Sequence, residues 1–109
     1  MDLKILLIED TQSLSRLYQD YLETAGYDVV SCDTGDKALN HFQKNPFDAV
    51  LLDLKLPDMD GMQLLQALKE HAPSCPIVMM TAHGSMKNAI DAMKQGAQDF
   101  LVKPFDKDR

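Results

Sequence analysis

Short apolar segments alternate with amphipathic segments along the whole chain, and this alternation constrains the fold more than any other feature of the sequence. The apolar segments are rich in branched aliphatic residues, and most are continuous rather than interrupted by polar residues. Continuous apolarity is typical of parallel strands that are buried on both faces of a sheet. The sequence therefore predicts strands at residues 4–8, 28–31, 49–52, 77–80 and 100–102.

The segments between these strands have apolar residues at helical spacing. The first is the clearest, because its apolar residues follow the i, i+3, i+4, i+7 pattern and Gly26 is placed to end the helix. A stripe from Met86 to Met93 marks the fourth helix, and we expect it to pack in the core or against a partner. Alternating strands and helices predict an α/β fold with right-handed crossovers and a doubly wound parallel sheet.

Composition and charge limit the classes of function. At 109 residues the chain is expected to form one domain, residues 1–109, and its net charge of -6 argues against direct binding of nucleic acid. No apolar run reaches the ~20 residues that cross a bilayer, and no signal peptide is recognisable, so we expect a cytoplasmic protein without a membrane partner. Cys32 and Cys75 lack metal-site spacing and are expected to be buried free thiols.

The predicted fold calls for a fifth helix after the fifth strand, but few residues remain there. After Lys103-Pro104-Phe105 only Asp106, Lys107, Asp108 and Arg109 remain, too few for the helix that is expected to cover one face of the sheet beside the first helix. We therefore expect the final helix to be missing or truncated.

Acidic residues follow two of the predicted strands. Glu9 and Asp10 follow the first strand, and Asp53 follows the third. Under the strand order 2-1-3-4-5 of flavodoxin-like folds, these two strands flank the point where the order reverses, which is the usual ligand crevice of such sheets. Three carboxylates at one point repel each other and need protons or a cation. The sequence therefore predicts a site for Mg²⁺, a hard cation that prefers oxygen ligands.

Other phosphate or metal sites do not fit this sequence. A dinucleotide or flavin site would place a glycine-rich or hydroxyl-rich turn after the first strand, where this chain has Glu9 and Asp10. No GxxxxGK[ST] motif occurs. A calcium loop with Gly61 at its sixth position would begin at Leu56 and end at Ala67, and neither side chain is a ligand.

Two further polar residues lie at strand ends and complete the predicted site. Thr81 closes the fourth strand with a hydroxyl donor, and Lys103 follows the fifth with a compact positive charge. A carboxylate such as Asp53 can attack phosphorus and form an aspartyl phosphate, whose negative oxygens Thr81 and Lys103 could then receive. Each of these residues alone could have an ordinary structural role, but together they predict a phosphoryl-accepting site.

This set of residues resembles the receiver domain of two-component response regulators, with a CheY-like fold. The resemblance covers the whole chain. It implies that Asp53 is the phosphoacceptor, that Thr81 and Lys103 contact the phosphoryl oxygens, and that Phe100 occupies a switch position. It also implies a set of ligands around Mg²⁺, which consists of Glu9, Asp10, Asp53 and the backbone carbonyl of Lys55. The motifs that carry the resemblance are Glu9-Asp10, Asp53 with Pro57 and Gly61, Thr81-Ala82, and Lys103-Pro104-Phe105.

Residues 81–85 and 96–104 are similar to the NtrC-like subgroup, and within it to quorum-sensing regulators. In that subgroup the receiver precedes a sigma-54-dependent AAA+ ATPase and a DNA-binding domain. The resemblance therefore implies a histidine kinase or a histidine phosphotransfer protein as phosphoryl donor and an attached output module as the target. It also leaves a homodimer open.

Two alternatives remain beside this interpretation. One is a stand-alone receiver that acts by protein binding or passes its phosphoryl group onward in a phosphorelay. The other is a Mg²⁺-dependent phosphohydrolase with Asp53 as nucleophile, which would need a general acid nearby, usually two residues further on, where this chain has Lys55. We expect a signalling domain and not a turnover enzyme.

Overall fold

The computed structural model describes residues 3–82 and 86–103, and within this part nine elements alternate between strand and helix. The first helix ends at Thr24, shortly before Gly26, and the fourth spans Met86–Lys94, close to the predicted stripe from Met86 to Met93. The strands are β1 (Lys4–Ile8), β2 (Asp28–Cys32), β3 (Ala49–Asp53), β4 (Ile77–Ala82) and β5 (Asp99–Lys103). The helices are α1 (Gln12–Thr24), α2 (Gly35–Lys44), α3 (Gly61–His71) and α4 (Met86–Lys94).

The five strands form one parallel sheet in the order β2-β1-β3-β4-β5, which confirms the predicted flavodoxin-like topology. Four of the strands are one or two residues longer than predicted. Asp53, Thr81 and Lys103 were expected at or beyond the strand ends, but they belong to β3, β4 and β5 themselves. The hydrogen-bonded ladder continues past the apolar residues, because a backbone pairs regardless of its side chain.

Two layers of helices cover the sheet. On one face α2, α3 and α4 pack on a large core that includes Leu6, Leu52 and Met79, all essentially inaccessible to solvent. On the other face α1 packs Tyr18 against a smaller core with Leu7 and Met80. Central strands thus contribute buried side chains to both faces, as their continuous apolarity predicts.

A groove of about 560 Å³ lies on the sheet face beside α1. Its walls include Tyr21 and Leu22 of α1 and the half-buried Leu51 and Leu101 of the sheet. Within the described residues, α1 is the helix that covers this face. The predicted absence of a final helix falls on residues after 103, outside the described part of the chain.

Local signals in the sequence account for the helix ends. Gly26 and Gly96 have positive φ angles of 97° and 106°, which suit a chain reversal after α1 and α4. The side chains of Thr34 and Asp60 accept hydrogen bonds from the first turns of α2 and α3. In the described residues no helix is long and apolar enough to cross a membrane.

Both cysteines are buried and free, as predicted. Burial, together with the negative charge of Asp33, raises the pKa of the Cys32 thiol to about 11, although Lys37 opposes this shift. Burial also raises the pKa of Cys75. Since the thiolate is the reactive form, both side chains act as small apolar groups at neutral pH.

Gly61 allows α3 to begin directly against the end of β3. Its N–H donates to the carbonyl oxygen of Leu54 at 2.8 Å. A Cβ atom at this position would lie 2.5 Å from the carbonyl oxygens of both Asp53 and Leu54. Backbone atoms cannot move away as a flexible side chain can, so any larger residue must push α3 away from β3.

We therefore predict that Gly61→Ala lowers the free energy of unfolding by about 3 kcal/mol, the upper end of the usual cost of overpacking. Gly26→Ala is the control, because a Cβ there meets nothing within 4 Å and only the positive φ is unfavourable. We expect the control to cost about 1–2 kcal/mol. Urea unfolding followed by circular dichroism measures both, and an equal or smaller loss for Gly61→Ala would contradict this explanation.

Candidate functional site

Glu9 is a buried carboxylate directly after β1. Only 1% of its surface is exposed. Its backbone N–H donates to the carbonyl oxygen of Cys32 at 3.0 Å, so pairing with β2 continues to this residue. Its carboxylate oxygen Oε2 accepts a hydrogen bond from the N–H of Thr11 at 3.0 Å. The bond to Cys32 therefore fixes the Glu9 backbone, and the Thr11 N–H orients its carboxylate.

Asp53 is the last residue of β3 and is 3% exposed. Its oxygen Oδ1 accepts a hydrogen bond from the N–H of Lys55 at 3.1 Å. The next residue, Leu54, donates its N–H to the carbonyl oxygen of Met80 in β4 at 2.9 Å. Asp53 thus repeats the arrangement of Glu9, in which a buried carboxylate is oriented by the N–H two residues further along the chain.

Glu9, Asp10 and Asp53 come together at the carboxyl end of the sheet. Each offers one carboxylate oxygen, and these three oxygens all lie within 4.8 Å of one another. Asp10 is exposed at the mouth of the cluster, whereas the other two are buried. The structure therefore brings together the three acids that the sequence placed at the reversal of strand order.

Such a cluster is electrostatically unfavourable by itself. At this separation, two ionised carboxylates repel each other by about 3–4 kcal/mol at an effective dielectric constant of about 20. A hard divalent cation that takes oxygen ligands removes this repulsion. The donor set of three carboxylates around one point suits Mg²⁺, which is bound through a few carboxylates and retained waters.

Thr81 lies on β4, the neighbour of β3, and Phe100 lies on β5, one strand further from the acidic cluster. Asp53 is paired with Met80 in the register of β3 and β4, so Thr81 is one residue beyond it on the neighbouring strand, where it is 4% exposed. Phe100 is paired with Met79 and packs against the core beneath α4. Since side chains alternate along a strand, Thr81 and Phe100 belong to the same face of the sheet.

Lys103 and Lys55 lie at the same edge of the sheet. The backbone of Lys103 ends β5 opposite Ala82, and its side chain lies outside the described part of the structure. Pro104 and Phe105 of the predicted motif are also outside the described residues. Lys55 is exposed, and its backbone forms an isolated bridge with Asp60 across the loop after β3.

One contact near the site was not predicted from the sequence. The carboxylate of Asp58 accepts hydrogen bonds from the backbone N–H groups of Gly35 and Asp36, which lie more than twenty residues earlier. These N–H groups lower the pKa of Asp58 below its usual value, the Gly35 N–H most strongly. No side-chain pattern reveals this contact, because both donors are backbone groups.

Comparison with known proteins identifies the family. Residues 5–109 match the family described as response regulator receiver domain. The chain is 48% identical over 103 residues to regulatory protein LuxO from Vibrio cholerae serotype O1. This alignment covers 94% of this chain and 23% of LuxO. It is 40% identical over 106 residues to response regulator protein FleR from Pseudomonas aeruginosa, and this alignment covers 97% of this chain and 22% of FleR.

A solved structure agrees with these relatives. The signal receiver domain assigned to a LuxO repressor protein of Vibrio parahaemolyticus superposes with a TM-score of 0.92 at 36% identity, covering 100% of this chain and 84% of that one. The chain therefore belongs to the response regulator receiver domain family, which confirms the predicted resemblance. It spans less than a quarter of the length of LuxO and FleR, 23% and 22% respectively.

The position of Asp10 in the cluster predicts how its loss would change the affinity for Mg²⁺. Asp10→Asn removes one negative oxygen from the mouth of the cluster, and Asp10 is exposed, so the fold should persist. We expect the dissociation constant for Mg²⁺ to rise at least tenfold, since even loss of a supporting outer-shell residue costs a metal site that much. Isothermal titration calorimetry measures this change.

The matched control is Asp28→Asn, which removes the same charge at the amino end of the sheet, where Asp28 begins β2. Its Mg²⁺ affinity should stay close to that of the unchanged domain. Equal affinity of the Asp10→Asn and Asp28→Asn variants would show that Asp10 does not bind the ion.

Proposed function

We propose that this domain accepts a phosphoryl group on Asp53 from a histidine kinase or a histidine phosphotransfer protein, and that the modified domain switches an attached output module. One observation carries the proposal: a carboxylate oxygen from each of Glu9, Asp10 and Asp53 lies within 4.8 Å of the others. Membership of the receiver family supports it independently.

Asp53 supplies the nucleophile. One carboxylate oxygen forms a bond to phosphorus while the bond between phosphorus and the phosphohistidine nitrogen of the donor breaks, and the donor histidine keeps the electron pair. The hydrogen bond from Lys55 N–H to Oδ1 holds the carboxylate in a fixed orientation before the reaction. Fixed orientation of the reacting group is a large part of catalysis in phosphoryl transfer.

Bound Mg²⁺ would supply neutralisation of the negative charge on the phosphoryl oxygens. The ligands in this proposal are the carboxylates of Glu9, Asp10 and Asp53 and the backbone carbonyl of Lys55. The proximity of the three carboxylates supports this assignment. Thr81 would donate its hydroxyl to a phosphoryl oxygen, and Lys103 would place its ammonium group on another.

The proposed switch connects Asp53 to the surface formed by α4 and β5. Phosphorylation adds about two negative charges and three acceptor oxygens, which would draw Thr81 towards Asp53. Phe100 packs on the same face of the sheet and would turn into the space that Thr81 leaves. On α4, Ile90 and Met93 are 49% and 42% exposed, which favours the partner-binding alternative for this stripe.

We propose that the output module contains a sigma-54-dependent AAA+ ATPase and a DNA-binding domain, in a cytoplasmic regulator of quorum sensing. The likeness to LuxO supports this, as does a relative named luminescence regulatory protein LuxO from Vibrio campbellii, 47% identical over 103 residues. A stand-alone receiver that acts by protein binding or in a phosphorelay remains the alternative.

The domain would not be a turnover enzyme. A phosphohydrolase with this nucleophile would use a general acid, usually two residues after Asp53, but that position is Lys55 and its N–H is bonded to the carboxylate. We therefore expect one phosphoryl group per domain, without multiple turnover on small phosphate esters.

The proposal predicts that acetyl phosphate and Mg²⁺ add the mass of one phosphoryl group to the domain. Intact-protein mass spectrometry measures the addition, and the adduct should hydrolyse at alkaline pH as an acyl phosphate does. Asp53→Asn should abolish it, whereas the control Asp28→Asn, at the opposite end of the sheet, should gain the same mass as the unchanged domain. A mass gain in Asp53→Asn equal to that of the unchanged domain would refute the assignment of Asp53.

A further inference from the structure

The loop between β3 and α3, residues 54–60, carries part of the proposed site. Its base is closed by the hydrogen bond from Gly61 N–H to the Leu54 carbonyl at 2.8 Å and by the bridge between Lys55 and Asp60. The N–H of Lys55 orients the Asp53 carboxylate. The backbone carbonyl of Lys55 is one of the metal ligands in the proposed function. The position of this loop therefore determines the positions of two groups in the site.

Asp58 connects the outer part of this loop to the first turn of α2. Its oxygen Oδ1 lies 2.8 Å from the N–H nitrogen of Gly35, and Oδ2 lies 3.0 Å from that of Asp36. The first N–H groups of a helix have no partner within the helix, and a carboxylate is favoured at this end of the helix dipole. Both oxygens of one side chain thus serve the start of a helix that is remote in sequence.

A close apolar contact lies beside these hydrogen bonds. Gly35 is buried under Met59, and a Cβ atom at Gly35 would lie only 2.5 Å from the Met59 sulfur. The outer part of the loop is therefore held on α2 by two adjacent residues, Asp58 through hydrogen bonds and Met59 through packing. The third N–H of the helix, that of Lys37, is bonded to the Thr34 hydroxyl at 3.2 Å and does not involve the loop.

We propose that Asp58 is a positioning residue for phosphoryl acceptance: by fastening the loop to α2, it fixes the Lys55 carbonyl and the Lys55 N–H that orients Asp53. The proposal rests on the function proposed above. It differs from a purely structural role, in which Asp58 would stabilise α2 without any effect on the metal site. Thr34 and Asp58 both bind N–H groups at this end of α2, but the hydrogen bonds of Asp58 also join the helix to the loop.

The test compares Asp58→Ala with two matched controls. Thr34→Ala removes the other side-chain cap of α2 and leaves the loop contact in place. Asp36→Asn removes a neighbouring exposed negative charge but keeps the backbone N–H that Asp58 binds. The controls therefore separate the loop contact from helix stability and from net charge. Asp58→Asn is the conservative variant, because it retains one carbonyl acceptor.

We expect Asp58→Ala to weaken Mg²⁺ binding 10-fold to 100-fold, the usual effect of losing a residue that supports metal ligands. Phosphorylation by acetyl phosphate should slow at low Mg²⁺ and recover towards the unchanged rate at saturating Mg²⁺. Asp58→Asn should lie between Asp58→Ala and the unchanged domain. Thr34→Ala and Asp36→Asn should change the Mg²⁺ dissociation constant less than threefold, and equal weakening in either control would overturn the proposal.

A second measurement does not depend on metal binding or phosphorylation. In the metal-free domain, hydrogen exchange of the Lys55 amide, observed by NMR, should accelerate at least tenfold in Asp58→Ala and stay unchanged in Thr34→Ala. An unchanged Lys55 amide in Asp58→Ala would overturn the positioning role even if the domain binds Mg²⁺. If the unchanged domain takes neither Mg²⁺ nor a phosphoryl group while Lys55 responds as expected, the proposed function fails and the loop contact stands.

Discussion

The central constraint on the site is the proximity of Glu9, Asp10 and Asp53, since the fold holds one carboxylate oxygen of each within 4.8 Å of the others. Two of these acids are buried, and burial of a carboxylate is costly unless hydrogen bonds or a cation compensate it. Backbone N–H groups of Thr11 and Lys55 compensate part of the cost and fix the side chains. A divalent cation with oxygen ligands would remove the remaining repulsion.

The parallel sheet makes this arrangement possible. All five strands end at the same edge, so residues far apart in sequence meet there without any long loop. Gly61 lets α3 begin against the end of β3, and Asp58 fastens the intervening loop to α2. Packing, backbone hydrogen bonds and charge thus act on the same short segment after Asp53.

Much of this fold can be predicted from the sequence, because continuous apolar strands and helical spacing are local patterns. The acidic cluster follows once the flavodoxin-like strand order is assumed for the alternating pattern. The ends of the strands cannot be predicted as well, since the ladder extends through Asp53, Thr81 and Lys103 for reasons of backbone pairing. The contact of Asp58 with the start of α2 is not predictable, since an exposed acid in a loop has no pattern that names its backbone partners.

The most direct measurement of the central claim is a crystal structure of the domain with Mn²⁺ and beryllofluoride, using the anomalous signal of the manganese. We expect a single anomalous peak bounded by the carboxylates of Glu9, Asp10 and Asp53 and the Lys55 carbonyl, with beryllofluoride on an Asp53 oxygen and the Thr81 hydroxyl turned towards it. No peak among these residues, or carboxylates pointing apart with beryllofluoride bound elsewhere, would contradict the account.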